Sequence, residues 1–195
     1  MKIIDISQEV VSCVVYPGDK RPEVIEEMRM DKGDLYNLSS LSMCVHNGTH
    51  IDAPFHFFSD GNYVHDIPLE HFVGDCLVVR YNGDIDEVKA KEIIEKAKQL
   101  NIESKILIAG DVCIKEDAAY IFADSKIHLL GNEGVSVGPI DAPMAVHKIL
   151  LGANIVLLEG IVLDSVDEGI YFLNAAPLNI SGVDGSPCRA YLIKK

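Results

Sequence analysis

The 195-residue chain contains no tryptophan, and no stretch of it approaches the roughly 20 consecutive apolar residues that a membrane-spanning helix requires. Its five cysteines, Cys13, Cys44, Cys76, Cys113 and Cys188, are odd in number and form no C-x-x-C pair, which argues against a disulfide framework and against a cysteine zinc site. Basic residues are scarce, 17 against 30 acidic ones, for a formal net charge of −13. That balance disfavours a nucleic-acid backbone or an anionic membrane surface as partner and suits a small neutral ligand or a cation. Asp5 interrupts the apolar start where a signal peptide would continue it, so a soluble cytoplasmic protein is expected. Repeats, low-complexity segments and Pro/Gly/Ser-rich linkers are also missing, and residues 1–195 are expected to form one domain.

What is present reads as alternating strands and helices. Residues 3–6 and 10–16 suit short strands, broken at Tyr16-Pro17-Gly18-Asp19, whose Pro-Gly centre fits a type II turn. Residues 35–46 alternate imperfectly, with Leu41, Met43 and Val45 on one face and Ser40, Ser42, Cys44 and His46 on the other. Residues 87–100 form the clearest helix, since Ala90, Ile93, Ile94 and Ala97 recur at helical spacing. A second helix is expected with Asp141 as N-cap, Pro143 in its first turn, His147 inside it and Gly152 as terminator. Residues 118–123 suit a short helix, residues 105–109, 126–131, 154–159 and 190–193 suit strands, and Asp184-Gly185-Ser186-Pro187 suits a turn. The expected fold class is α/β, with mixed β-sheets and flanking helices.

Chemistry is concentrated in His46-Asn47-Gly48-Thr49-His50-Ile51-Asp52-Ala53-Pro54-Phe55-His56, which holds three of the seven histidines and a carboxylate. Imidazole and carboxylate are the usual ligands of a borderline divalent ion such as zinc or manganese. His50 and Asp52 in extended backbone point to the same side, Gly48 permits a reversal that returns His46 to them, and Pro54 directs His56 to the pocket edge. Thr49 fits either a ligand-orienting hydroxyl or a turn residue, and Cys44 fits a small buried hydrophobe better than a ligand. A lone helical histidine such as His147 is more often packed core than ligand. Glu159 ends the apolar run Ile155-Val156-Leu157-Leu158, where a carboxylate needs a partner, and a cation is a natural one.

The spacing His46-x-Gly48-Thr49-His50-x-Asp52-x-Pro54-x-His56 resembles the signature of the cyclase-like metal hydrolases, a family that includes bacterial kynurenine formamidases and isatin hydrolases. Tyr16 to Asp19, Asp52 to Gly61, His147 to Glu159 and Asp184 to Ala190 resemble formamidase segments in the same order, so the likeness covers essentially the whole chain. It implies a swivelling β/β/α fold and a homodimer or larger assembly. It implies two divalent ions, zinc or alternatively manganese: His46, His50 and Asp52 on the first, Asp52 and Glu159 bridging to the second, and His147 completing that one. His56 would then donate and accept protons, and Tyr16 would stand where formamidases carry a tryptophan against the aromatic substrate.

The implied reaction is hydrolysis of a small amide, N-formyl-kynurenine to kynurenine and formate, with the nucleophile drawn from metal-bound water whose pKa falls to about 7. Ring opening of a cyclic amide or imide such as isatin, or cleavage of another small amide or ester, uses the same chemistry. Two histidines and a carboxylate also form the facial triad of iron(II) oxygenases, and a catalytically silent metal-binding protein is the third class. His65, His71 and His128 match no ligand position and are expected at the surface or in the core.

Overall fold

A computed structural model describes residues 1–194. In chain order the elements are β1 (Lys2–Asp5), β2 (Glu23–Met28), β3 (Leu38–Ser42), β4 (His50–Asp52), β5 (Val73–Arg80), β6 (Gly83–Ile85), α1 (Glu87–Gln99), β7 (Lys105–Ala109), β8 (Val112–Ile114), α2 (Glu116–Ala123), β9 (Leu129–Asn132), α3 (Met144–Gly152), β10 (Val156–Glu159), β11 (Gly169–Asn174), β12 (Gly185–Pro187) and β13 (Tyr191–Lys194). Nine strands form one sheet in the order β1-β13-β11-β5-β7-β9-β10-β4-β12. Its centre, β5-β7-β9-β10, is parallel because α1, α2 and α3 make the crossovers; both flanks are antiparallel. Pairs β2-β3 and β6-β8 lie apart from it.

The central strands are apolar on both faces because both are covered. Leu77, Ile106, Ile108, Leu130 and Leu157 face one core, with Ile93, Phe122 and Leu150 of the helices. Their neighbours Val78, Leu107, Leu129, Val156 and Leu158 face a second core, completed by Ile51, Leu173 and Leu192 from the flanking strands. Residues of both sheet flanks share that second core because the sheet curls. The Ile6 amide donates to Ala190 O, and Val162 donates to Ile6 O, so the chain after β1 joins the two flanks.

Strand β10 places the site. It pairs with β4 in the register Glu159↔His50 and Leu157↔Asp52, and β4 pairs on its other edge with β12, Gly185 opposite Asp52. Glu159 therefore sits at the carboxyl end of a parallel strand, the usual place for ligands in α/β sheets.

Several expectations need correction. Residues 10–16 are not a strand: the Glu9 carboxylate accepts from the Val11 and Ser12 amides, Gln8 Oε1 accepts from Val14, and Val11 and Val14 stay exposed. The turn after it does form, with Asp19 N donating to Tyr16 O and Gly18 at φ +99. The strand expected over 35–46 stops at Ser42, so His46 lies in the following loop. Helix α3 starts at Met144 with Pro143, not Asp141, in the cap position; Asn154 rather than Gly152 takes the left-handed conformation after its end, at φ +60. Residues 184–187 hold a short strand, not a turn; Pro187 is tolerated because β12 is an edge strand. The helix over 87–100 ends one residue earlier, capped by Asp86 accepting from Lys89 N, and β7 has the expected bounds. Among the described residues no helix is long and apolar enough to cross a membrane.

Gly160, directly after β10, has φ +65, and a Cβ there would stand 2.4 Å from Gly48 O and 2.9 Å from Gln8 Nε2. Gly160→Ala is expected to lower the unfolding free energy by at least about 2 kcal/mol, since backbone strain and a clash coincide. Urea denaturation would show it; an unchanged midpoint would mean the Gly48–Gly160 contact is not required.

Candidate metal centre and active site

The loop before β4 is built around its polar atoms. Gly48 has φ +67, and Thr49 Oγ1 accepts from Gln8 N at 2.9 Å and donates to Gly160 O at 2.6 Å, tying the turn to the end of β10. This reversal returns His46 Nδ1 to 2.8 Å from Asp52 Oδ1. Extended backbone through β4 puts His50 Nε2 3.3 Å from Asp52 Oδ1 and 3.5 Å from Glu159 Oε2. From α3, His147 Nε2 reaches Glu159 Oε1 at 3.2 Å and Asp52 Oδ2 at 3.6 Å. The Val137 amide donates to Glu159 Oε1 at 2.7 Å. A single 3₁₀ turn, Pro54–His56, carries His56 to the rim.

Asp52 is the centre of the cluster. Donor atoms of His46, Asp52 and His56 lie within 4.8 Å of one another, as do those of His50, Asp52 and Glu159. His50 and His147 each donate Nδ1–H to a backbone carbonyl, Gly48 O at 3.0 Å and Pro143 O at 2.8 Å, and turn Nε2 toward the carboxylates. A ring held from behind by an acceptor, with its other nitrogen aimed inward, is the usual arrangement of a metal-ligating histidine. Two carboxylates buried side by side also call for positive charge. The donor set fits a divalent cation in both type and charge.

Without a cation the imidazoles supply that charge. Burial pulls the His46 pKa down, but hydrogen bonds to Asp184 and Asp52 outweigh it and raise it to about 9. Burial likewise opposes protonation of His50 and His147, yet the Asp52 and Glu159 carboxylates push both pKa values up. Burial and the neighbouring Asp52 charge would raise Glu159, and its hydrogen bonds to His147 and His50 reverse the sign.

A cavity of about 220 Å³ opens onto the cluster. His46, His50, Asp52, His56, His147 and Glu159 line it together with Tyr16, Asp19, Phe57, Val135, Ser136 and Pro143. The Tyr16 hydroxyl donates to Ile140 O at 2.7 Å, which fixes its ring on the wall. Cys44 is half-buried and its thiol faces Asp19 Oδ2 at 3.6 Å. His65, His71 and His128 are not among the lining residues.

The sequence profile of the Cyclase family matches residues 4–139. The chain belongs to this family. Over 98% of its length it is 35% identical to a kynurenine formamidase of Salinibacter ruber, covering 97% of that protein, and 33% identical to one of Bacillus anthracis, again covering 97%. Among solved structures, a predicted metal-dependent hydrolase from Bacillus stearothermophilus superposes with TM-score 0.78 at 28% identity, covering 98% of this chain and 97% of that one. Isatin hydrolase A from Labrenzia aggregata superposes with TM-score 0.81 over 98% of this chain and 93% of its own; at 23% identity this is a likeness of fold.

One residue of this Cyclase-family site escaped the sequence reading. Asp184 Oδ2 lies 2.9 Å from His46 Nε2 and 2.8 Å from His56 Nδ1, and these two hydrogen bonds hold its carboxyl below the usual range. Only its place in a segment resembling formamidases pointed to it.

The raised imidazole pKa values predict how the chelator-treated protein behaves. A histidine whose folded pKa exceeds its unfolded value contributes stability in full below the unfolded value, about 6.5, and loses it as pH rises through the folded value. For His46 that window runs from about 6.5 to about 9, and His50 and His147 add the same sign. The urea midpoint of chelator-treated protein should fall between pH 6 and pH 9; a midpoint that rises would refute this charge assignment.

Proposed function

We propose that this protein is a metal-dependent hydrolase of small amides whose substrate is N-formyl-kynurenine, cleaved to kynurenine and formate. The observation that carries the reading is the buried cluster in which Asp52 belongs to two groups of donor atoms beside His56 in one cavity. Full-length likeness to kynurenine formamidases supports the substrate.

His46, His50, Asp52, His147 and Glu159 would hold the metal, as two zinc ions or alternatively manganese. When bound, such ions make water nucleophilic near neutral pH and polarise the substrate carbonyl. The remaining steps fall to the chain. Tyr16, with its hydroxyl fixed to Ile140 O, presents a ring to the aromatic part of the substrate, and Phe57, Val135 and Pro143 supply apolar wall. His56 takes a proton as water adds to the formyl carbon and returns it to the aryl nitrogen as the C–N bond breaks. Formate and the free amine leave.

A homodimer or larger homo-oligomer is the assembly we favour. Two-stranded ribbons are marginal alone, and β2-β3 leaves the cross-strand pair Val24 and Leu41 exposed on one face and Ile25 on the other, as expected of a ribbon covered by a second copy. Five free cysteines support a reducing, cytoplasmic location.

Chelator-treated protein should hydrolyse N-formyl-kynurenine only after zinc or manganese is returned. His56→Ala should keep its metal and lose roughly 10²–10⁴-fold in turnover, whereas Asp52→Ala should lose metal and activity together. Metal-replete wild-type protein that leaves N-formyl-kynurenine intact would exclude the substrate, and a metal-replete Asp52→Ala protein would exclude the ligand assignment.

A further inference from the structure

The backbone at Asp184 is fixed by its neighbours. Its carbonyl accepts from Ala53 N at 2.9 Å, and the next residue, Gly185, pairs with Asp52 in the β4-β12 ladder. A Cβ at Gly185 would meet His46 Cε1 at 2.7 Å, so the chain there lies directly against the imidazole. From this fixed point one carboxylate oxygen receives two different rings, His46 through Nε2 and His56 through Nδ1.

An ionised carboxylate can only accept, so each ring nitrogen facing it carries a hydrogen. For His46 both nitrogens face carboxylates, and both carry hydrogens while no cation is bound; with Nε2–H held by Asp184, Nδ1, 2.8 Å from Asp52 Oδ1, is the nitrogen that would give up its hydrogen to a cation. For His56 the bond to Asp184 leaves Nε2 as the nitrogen free for proton transfer in the cavity. We propose that Asp184 is a positioning residue that fixes the tautomers of both imidazoles at once, making His46 an Nδ1 ligand and His56 an Nε2 acid–base group. The roles of His56 in proton transfer and of His46 as a ligand rest on the metal-hydrolase reading above; the two hydrogen bonds of Asp184 do not.

Asp184→Asn tests it, because a neutral amide oxygen accepts more weakly than a carboxylate and the amide's NH₂, turned toward the rings, cannot accept at all. Long-range ¹H–¹⁵N spectra of histidine-labelled, zinc-loaded protein should report Nδ1–H for His56 in the wild type and its loss in Asp184→Asn. Zinc affinity, read by chelator competition, should weaken on the order of 10–100-fold, and turnover at saturating zinc should fall by a similar factor. Asp184→Glu, which keeps the carboxylate, should recover part of both. In a His56→Ala background, with turnover read at saturating zinc, Asp184→Asn should cost much less turnover than it does in the wild type yet still weaken zinc binding, since the two effects run through different rings. Nε2–H at His56 in the wild type, or wild-type zinc affinity and turnover in Asp184→Asn, would overturn the proposal. Wild-type protein inert toward N-formyl-kynurenine would instead strike the substrate assignment, and the spectra and zinc affinity would still decide the role of Asp184.

Discussion

Two carboxylates, Asp52 and Glu159, are buried next to each other, and much of the surrounding architecture follows from what that arrangement requires. Ionised groups removed from water without compensation are among the most unfavourable features a fold can contain. Three imidazoles, His46, His50 and His147, converge on the pair from the loop before β4, from β4 itself and from α3. The Val137 amide adds a hydrogen bond to Glu159. Protons on the imidazoles or a divalent cation can balance the same charge, and a cation there would also make bound water nucleophilic.

The fold is the device that holds these groups in register. Parallel strands β5, β7, β9 and β10 carry Glu159 to a carboxyl end, and antiparallel pairing of β4 and β12 sets His50, Asp52 and Gly185 beside it. Thr49 and Gly160 lock the two segments together through one hydroxyl and one close backbone approach. Few of these contacts lie at the surface, which makes the site a continuation of the second hydrophobic core and not a loop resting on it.

Much of this was legible in the sequence, for identifiable reasons. Residues 46–56 advertise themselves because three histidines and an aspartate around a Gly-Thr turn have few structural uses, and α1 and β7 are regular enough in periodicity or apolarity to be read directly. Other parts carry weaker signals. Strand β2 is rich in glutamate and exposed on both faces, so it has no alternation to detect. Strand β12 is three residues long and made of Gly-Ser-Pro, which by local propensity says turn; only pairing with β4, distant in sequence, makes it a strand. Asp184 was missed for the same reason, since its partners His46 and His56 lie more than a hundred residues away. Asp141 was misplaced as a cap because α3 begins only at Met144, directly after Pro143, with no side-chain cap hydrogen bond for a local rule to detect.

The claim on which everything else rests is that Asp52 is the shared ligand of a divalent-metal centre. Anomalous diffraction at the zinc edge, from crystals of the zinc-loaded protein, addresses it without reference to any substrate. The account predicts a peak within coordination distance of an Asp52 carboxylate oxygen and of at least two of the imidazole nitrogens turned toward it. Zinc bound elsewhere, or no peak in that cavity at saturating zinc, would contradict it.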